Sequence, residues 1–175
     1  MFLQNDLLNL RSLEPTDLEI LYKWENNTAI WEVSNTLAPY SKYILHQYIE
    51  NSLKDIFESK QLRLIIDCNY TDYSEPIGTI DLFDIDFYHK RAGIGILIAN
   101  EVNRNKGFAS QSIKLMEEYS KNHLQLQQLH CKIDEENKLS LKLFQGLGYQ
   151  ITGKLKSWKY SSNGWKDVFI LQHLI

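Results

Sequence analysis

The sequence predicts a mixed α/β fold in a single domain spanning residues 1–175, and three stretches carry that prediction. Residues 94–99 form an apolar strand that turns through the polar loop 103–109 into a helix carrying Ile113, Met116 and Tyr119 on one stripe. Residues 62–68 and 77–85 are strand-type runs separated by the polar turn 69–76. Residues 154–160 and 165–171 flank Asn163-Gly164, the strongest short-range signal for a hairpin.

In chain order, residues 7–13 alternate as a first strand. Glu14-Pro15 follows, and Thr16 with Glu19 has the spacing of a capping box opening a helix with Leu18, Leu21 and Tyr22 on one face. That helix ends near Asn26-Asn27, and a loop rich in aromatics is expected to carry Trp31, Glu32 and Pro39-Tyr40. Ser41 caps a second helix with Ile44, Leu45, Tyr48, Ile49, Leu53 and Ile56 at helical spacing, a stripe suited to core packing. Asp81 interrupts the apolar strand 77–85, and a carboxylate there needs a partner or a task, with Arg91 or Lys90 as the expected partner. After the helix that begins at Ala109, residues 129–133 form a short strand. Asn137 then caps a helix running to Leu147, and Gly148 stops it.

Composition narrows the function classes. Among 175 residues, 43% are hydrophobic and 23% charged, as in an ordinary globular domain able to bury a core. A formal charge of −3 argues against a nucleic-acid partner, because phosphate backbones demand clustered Lys and Arg. No apolar run approaches the roughly 20 residues that cross a bilayer, and the first residues lack a basic signal-peptide region, so no membrane partner is expected and the placement expected is cytoplasmic. Cys68 and Cys131 lie far apart in apolar runs, which suits free buried thiols in a reducing cytosol. The five histidines have no ligand spacing, and no metal is expected.

The loop after the strand 94–99 is specific about charge. The first N–H groups of a helix lack intrahelical partners and sit at the positive end of its dipole, so they bind anions and phosphate above all. Gly107 lets the main chain approach a ligand without a Cβ, Ala109 keeps the first turn slim, and Arg104 and Lys106 add positive charge. Neither the three-glycine dinucleotide fingerprint nor the Gly-Lys-Ser/Thr phosphate loop is present.

The pattern Arg-x-x-Gly-x-Ala at 104–109 resembles the pyrophosphate loop of the GNAT superfamily of acyl-CoA N-acyltransferases. The run Asn137-Lys-Leu-Ser140-Leu-Lys-Leu-Phe144-Gln-Gly-Leu-Gly148-Tyr149 is similar to that superfamily's second signature, on the expected helix and downstream of the loop. Residues 77–170 also resemble the branch that acetylates spermidine and ribosomal-protein N-termini, through Gly78-x-x-Asp81-Leu82, His89-Lys90-Arg91-Ala92 and the Asn-Gly hairpin.

The resemblance implies a strongly twisted sheet of six or seven strands, mostly antiparallel around a splayed parallel central pair, with about four helices on its two faces. It implies acetyl-CoA as co-substrate, its pantetheine arm pairing with Ile96, Leu97 and Ile98. The pyrophosphate would rest on the amides of Arg104, Asn105, Lys106, Gly107, Phe108, Ala109 and Ser110. Asn137 and Ser140 would line the opposite side, with Phe144 near the sulfur. The backbone N–H around Leu97 is expected to stabilise the oxyanion. Asp81 and Glu32 are the expected general bases, and Trp31, Glu32, Tyr40 and Asp81 the acceptor-binding set. The implied activity is transfer of an acetyl group to a primary amine of a polyamine, a peptide N-terminus or a small molecule, by direct attack in a ternary complex. One departure matters: Phe144 stands where many relatives have a tyrosine, and a phenyl ring cannot protonate a departing sulfur. The competing reading is a CoA-binding or sensor module without turnover. A homodimer through the final hairpin or a sheet edge is a further expectation.

Overall fold

The computed structural model describes residues 3–34, 36–52 and 55–175, with the side chains of Glu32 and Val33 outside the described set. Strand β1 (Leu8–Ser12) leads through a 3-10 turn (Pro15–Asp17) into helices α1 (Leu18–Glu25), α2 (Thr28–Ser34), α3 (Lys42–Asn51) and α4 (Ile56–Ser59). Strands β2 (Leu62–Asn69), β3 (Ser74–Asp86) and β4 (Arg91–Ile98) follow, then helix α5 (Phe108–Asn122) and strand β5 (Gln128–Asp134). Helix α6 (Lys138–Gly146) and the hairpin of β6 (Gln150–Ser161) with β7 (Gly164–Leu174) complete the chain.

Several local expectations change for physical reasons. The capping box forms between Glu14 and Asp17 rather than Thr16 and Glu19, with Pro15 opening the turn. Asp17 is claimed there because Arg11 grips its carboxylate at 2.7 and 2.9 Å and Asp67 at 2.6 Å, joining β1, the turn and β2. The expected loop around Trp31 contains a helix, α2, begun by Asn27, whose side chain accepts from the Ala29 amide at 3.1 Å. Ser41 caps α3 as expected, accepting from Ile44 N at 3.2 Å, but α3 ends at Asn51. Ile56 starts the separate α4 behind an Asp55 cap, and Leu53 lies outside the described residues. These short pieces raise the helix number to six among the described residues, against about four expected.

The seven strands form one sheet in the order β1-β2-β3-β4-β5-β7-β6, antiparallel throughout except for β4 beside β5. On one face, Leu21 and Trp24 of α1 and Leu45 and Ile49 of α3 close over Leu13 and Ile65. On the other face, Ile113 and Met116 of α5 and Leu141 and Phe144 of α6 join Leu64, Ile66, Ile80, Ile94 and Cys131 in a larger core. Each of these side chains contributes on the order of 1.5–3 kcal/mol by leaving water. Both cysteines are free and buried, and burial pushes the Cys131 thiol up to about 12.

The parallel pair is joined only at Arg91, Ala92 and Gly93, opposite Gln128, Leu129 and His130. Beyond that point β4 stays bonded to β3 as far as Ile98, and β5 stays bonded to β7 as far as Asp134. Each strand follows its antiparallel neighbour, so the two part and leave a wedge open at their carboxyl ends.

Candidate active site

A cleft of about 610 Å³ occupies the wedge. One wall is Ile94, Gly95 and Ile96 of β4, and the other is Cys131 to Asp134 of β5. Asn137, Ser140 and Phe144 of α6 close it on the face that carries α5 and α6. Trp158, Lys159, Lys166 and Val168 of the hairpin extend it on the opposite side.

The ladder decides which amides face the opening. The Ala99 amide donates to the Ile77 carbonyl at 2.9 Å, and the register runs unbroken from Gly78 opposite Ile98 to Phe83 opposite Gly93. Bonded positions alternate along an antiparallel pair, so Gly93, Gly95 and Leu97 turn their amides to β3. Ile94, Ile96 and Ile98 turn theirs toward the wedge. The Lys90 carbonyl, which accepts from Gln127 N at 2.7 Å on the β5 side, belongs to the same even-numbered set. This corrects the expectation for Leu97, whose N–H points away from the cleft. The inward donor at that depth is Ile96.

Both helices that follow the parallel strands start at the open end of the wedge. From β4 the chain passes through a 3-10 turn (Glu101–Asn103) and Asn105, at φ 59°, to Gly107, the N-cap of α5 at φ 83°. A Cβ on Gly107 would meet nothing closer than 4.0 Å, so glycine is needed there for its backbone angle and not for space. Helix α5 begins at Phe108, one residue earlier than expected, because the ring is buried and anchors the first turn. The amides of Phe108, Ala109 and Ser110 form that turn, while Ser110 Oγ donates to the Gly107 carbonyl at 2.8 Å. Lys106 is exposed beside them. Arg104 behaves differently from expectation: its Nε donates to the Ile98 carbonyl at 3.3 Å and its Nη1 lies 3.7 Å from Glu101. It ties the loop to the end of β4. On the other side Asn137 caps α6, accepting from Ser140 N at 3.1 Å, and half-buried Ser140 lies one turn before Phe144. Phe144 is 4% exposed and meets Tyr149 edge-on at 4.9 Å.

On the face opposite α5 and α6, Asp81 is paired with Arg63, not with Arg91 or Lys90. Arg63 Nε lies 2.5 Å from Asp81 and its Nη1 2.7 Å from Glu25, with the guanidinium 5.2 Å from the centre of the Tyr48 ring. Arg91 is occupied by Asp86 at 3.2 Å. Burial pushes the Asp81 carboxyl above its ordinary range against the pull of Arg63. Burial works against the Arg63 charge, but Asp81, Tyr48 and Glu25 outweigh it and hold the guanidinium above its usual value. Burial also pushes the Tyr48 phenol up to about 12.

Trp31 sits on α2 with its Nε1 donating to the Glu25 carbonyl at 2.9 Å, which places it beside this cluster. Asn26 holds the backbone of Tyr40 from both sides, accepting from its N at 2.8 Å and donating to its carbonyl at 3.0 Å. Glu32 belongs to α2, and its side chain lies outside the described residues. Sequence reasoning missed Arg63, Glu25 and Tyr48, although an arginine inside the apolar run 62–68 was a readable signal that a buried carboxylate lay opposite. It also missed the hairpin lysines, because nothing local says that they reach the cleft.

Known proteins are similar to this chain in sequence and in fold. Spermidine N(1)-acetyltransferase of Escherichia coli (strain K12) is 27% identical over 148 residues, covering 85% of this chain and 75% of that protein. Spermidine N(1)-acetyltransferase of Vibrio cholerae serotype O1 is 28% identical over 171 residues, covering 96% and 95%. The crystal structure of spermidine N-acetyltransferase from Vibrio cholerae in complex with CoA and spermine superposes with a TM-score of 0.85 at 25% identity, covering 97% of this chain and 96% of that one. Residues 8–150 match the family described as Acetyltransferase (GNAT) domain, a match over most of the chain. With its splayed parallel pair, its glycine-capped α5 and its asparagine-capped α6, the chain belongs to the GNAT acetyltransferase family.

Proposed function

We propose that the protein transfers the acetyl group of acetyl-CoA to a primary amine within a ternary complex. The observation that carries this reading is the wedge between β4 and β5, with the inward amides of Ile96 and Ile98 on its wall and the starts of α5 and α6 at its mouth. Ile96 and Ile98 offer the free strand edge that an amide-bearing pantetheine arm would pair with. The amides from Asn105 to Ser110 hold the pyrophosphate, aided by the α5 dipole and the Lys106 charge; the Arg104 amide, expected among them, is spent on the Glu101 carbonyl at 3.0 Å. Asn137 and Ser140 line the opposite side, and Phe144 packs beside the thioester sulfur.

An amine attacks a thioester only when it is unprotonated, so the acceptor must lose a proton first. Asp81 takes that role: burial raises its proton affinity, the direction a base needs, and its register partner is Gly95, a residue of the cleft wall. Glu32 is the second base in this reading, and Trp31 and Tyr40 frame the acceptor. The Ile96 amide stabilises the oxyanion as the C–N bond forms. The C–S bond then breaks and the sulfur leaves as thiolate. A thiol with an ordinary pKa of about 8.5 leaves without an acid, so Phe144 does not bar the reaction.

The lack of a hydroxyl at Phe144 is the one observation favouring the other reading, a module that binds CoA without turnover. Thiol release from acetyl-CoA with a panel of amines separates the two: acetyl-CoA binding with no CoA released by any amine would establish the module. Gly107→Asp tests the phosphate site, since it sets a carboxylate against the phosphates. Acetyl-CoA affinity should fall by at least about a hundredfold, from lost and repelled charge contacts. Unchanged affinity with an intact circular dichroism spectrum would move the diphosphate elsewhere.

A further inference from the structure

The first turn of α5 carries two polar side chains beside the Gly107 N-cap, and they are used differently. Ser110 donates its hydroxyl to the Gly107 carbonyl at 2.8 Å, and the Gln111 main-chain N–H goes to the same carbonyl at 3.1 Å. The Gln111 side chain leans back over the turn, following the tilt of Cα–Cβ bonds toward a helix N-terminus. Its Nε2 lies 4.0 Å from the place a Cβ on Gly107 would take. Among the described residues, no acceptor is bonded to that Nε2.

Which end of the Gln111 amide faces the turn is fixed from outside the helix. The main-chain N–H groups of Leu7 and Leu8 both donate to Asn5 Oδ1, at 2.9 and 2.8 Å. Only an oxygen accepts such bonds, so the Asn5 amide has one orientation, with Nδ2 pointing outward. That Nδ2 donates to Gln111 Oε1 at 3.1 Å. A donor there demands the oxygen of Gln111, which leaves the NH2 end on the Gly107 side. Asn5 is itself held to β1 and β2: its N–H donates to the Leu8 carbonyl at 2.9 Å, and its carbonyl accepts from Asn69 Nδ2 at 3.4 Å. The oriented NH2 stands beside the first-turn N–H groups of Phe108, Ala109 and Ser110, a set of donors that favours an anion.

We infer that Gln111 is a further binding residue for the diphosphate of CoA, donating from Nε2 to a phosphate oxygen, and that Asn5 is the positioning residue that turns its amide the right way round. The inference rests on the acetyl-CoA reading above and adds Gln111 and Asn5 to that site. It makes the segment before β1 part of the support for the cofactor.

Calorimetric Kd values for acetyl-CoA, its 3′-dephospho form and S-acetylpantetheine test this. Gln111 is half-buried and Asn5 exposed, so substitutions there open no core. Gln111→Met keeps the length of the side chain and removes the donors. It should weaken acetyl-CoA and the 3′-dephospho form alike, by about tenfold, the worth of one hydrogen bond to a charged acceptor. S-acetylpantetheine, which has no diphosphate, should bind as before. Asn5→Asp keeps an oxygen for the Leu7 and Leu8 N–H groups but offers Gln111 an acceptor, so the Gln111 amide should turn round and present its oxygen to the phosphates. Acetyl-CoA affinity should fall, and the loss should be at least about threefold smaller when Asn5→Asp is combined with Gln111→Met, because no amide is left to turn. The added charge acts in both backgrounds and cancels from that comparison. Acetyl-CoA affinity untouched by Gln111→Met overturns the inference and leaves the cofactor site standing. So does a loss that S-acetylpantetheine shares, the mark of a purely structural role, or a loss confined to the ligand with the 3′-phosphate. Equal losses from Asn5→Asp in the two backgrounds remove Asn5 from its positioning role. If the unaltered protein binds no acetyl-CoA, the cofactor reading falls and the inference falls with it.

Discussion

Arg63 holds two carboxylates at once, Asp81 of β3 at 2.5 Å and Glu25 of α1 at 2.7 Å, and is the cation the two share. Removing it acts on Asp81 in a known direction: burial already raises that carboxyl, and the opposing pull of Arg63 disappears. In Arg63→Gln the acid limb of the pH dependence of kcat/KM should therefore move to higher pH. A limb that stays in place would remove Asp81 from the role of base. Arg11 is the structural counterpart. Burial pushes the Asp17 carboxyl up, but the bonds from Arg11 and the Glu14 amide more than offset it and leave it below its ordinary value. The stability this supplies is present above the unfolded carboxylate pKa and is lost as pH falls through the folded one. Arg11→Met should cost about 3 kcal/mol in urea unfolding at neutral pH, by leaving Asp17 and Asp67 buried without a cation. The loss should shrink as the solution is acidified.

At the scale of elements, the cleft depends on how closely β3 and β4 approach. A Cβ on Gly78 would lie 1.9 Å from the Leu97 carbonyl oxygen, a backbone atom that cannot turn aside. Gly78→Ala should push the strands apart, cost about 1–3 kcal/mol in denaturant unfolding and weaken acetyl-CoA binding through the displaced β4 wall. Gly146, at the end of α6, has open space where a methyl group would stand, with nothing within 4 Å, and Gly146→Ala should stabilise by about 0.5–1 kcal/mol. Equal effects from the two substitutions would refute the close-approach argument. Elements announced by their own residues were legible: the Ser41 and Asn137 caps, the strand-loop-helix at 94–121 and the final hairpin all form where local chemistry puts them. The missed helix α2 has an Asn27 start that aromatic content obscured.

For the whole molecule, the proposed binding of acetyl-CoA at the mouth of the wedge would be coupled to folding, because β4, β5, α5 and α6 form that wedge only when assembled. Acetyl-CoA at about a hundred times its Kd should add about 2.7 kcal/mol, which for a domain of this size raises Tm by roughly 5–10 °C. Thermal unfolding with acetyl-CoA, and with an equal concentration of free acetate as control, measures it; no shift at saturation would mean that the wedge is not where the cofactor binds. The sequence alone determined the mixed α/β class, most element positions and the glycine-capped turn into α5, since caps, periodicity and a glycine at positive φ act over a few residues. Only the tertiary structure decided that Ile96 rather than Leu97 faces the wedge, that Asp81 answers to Arg63, and that three lysines from β5, β6 and β7 reach one cleft. Those outcomes depend on strand register and order, which set which distant residues share a face and which amides are left unpaired.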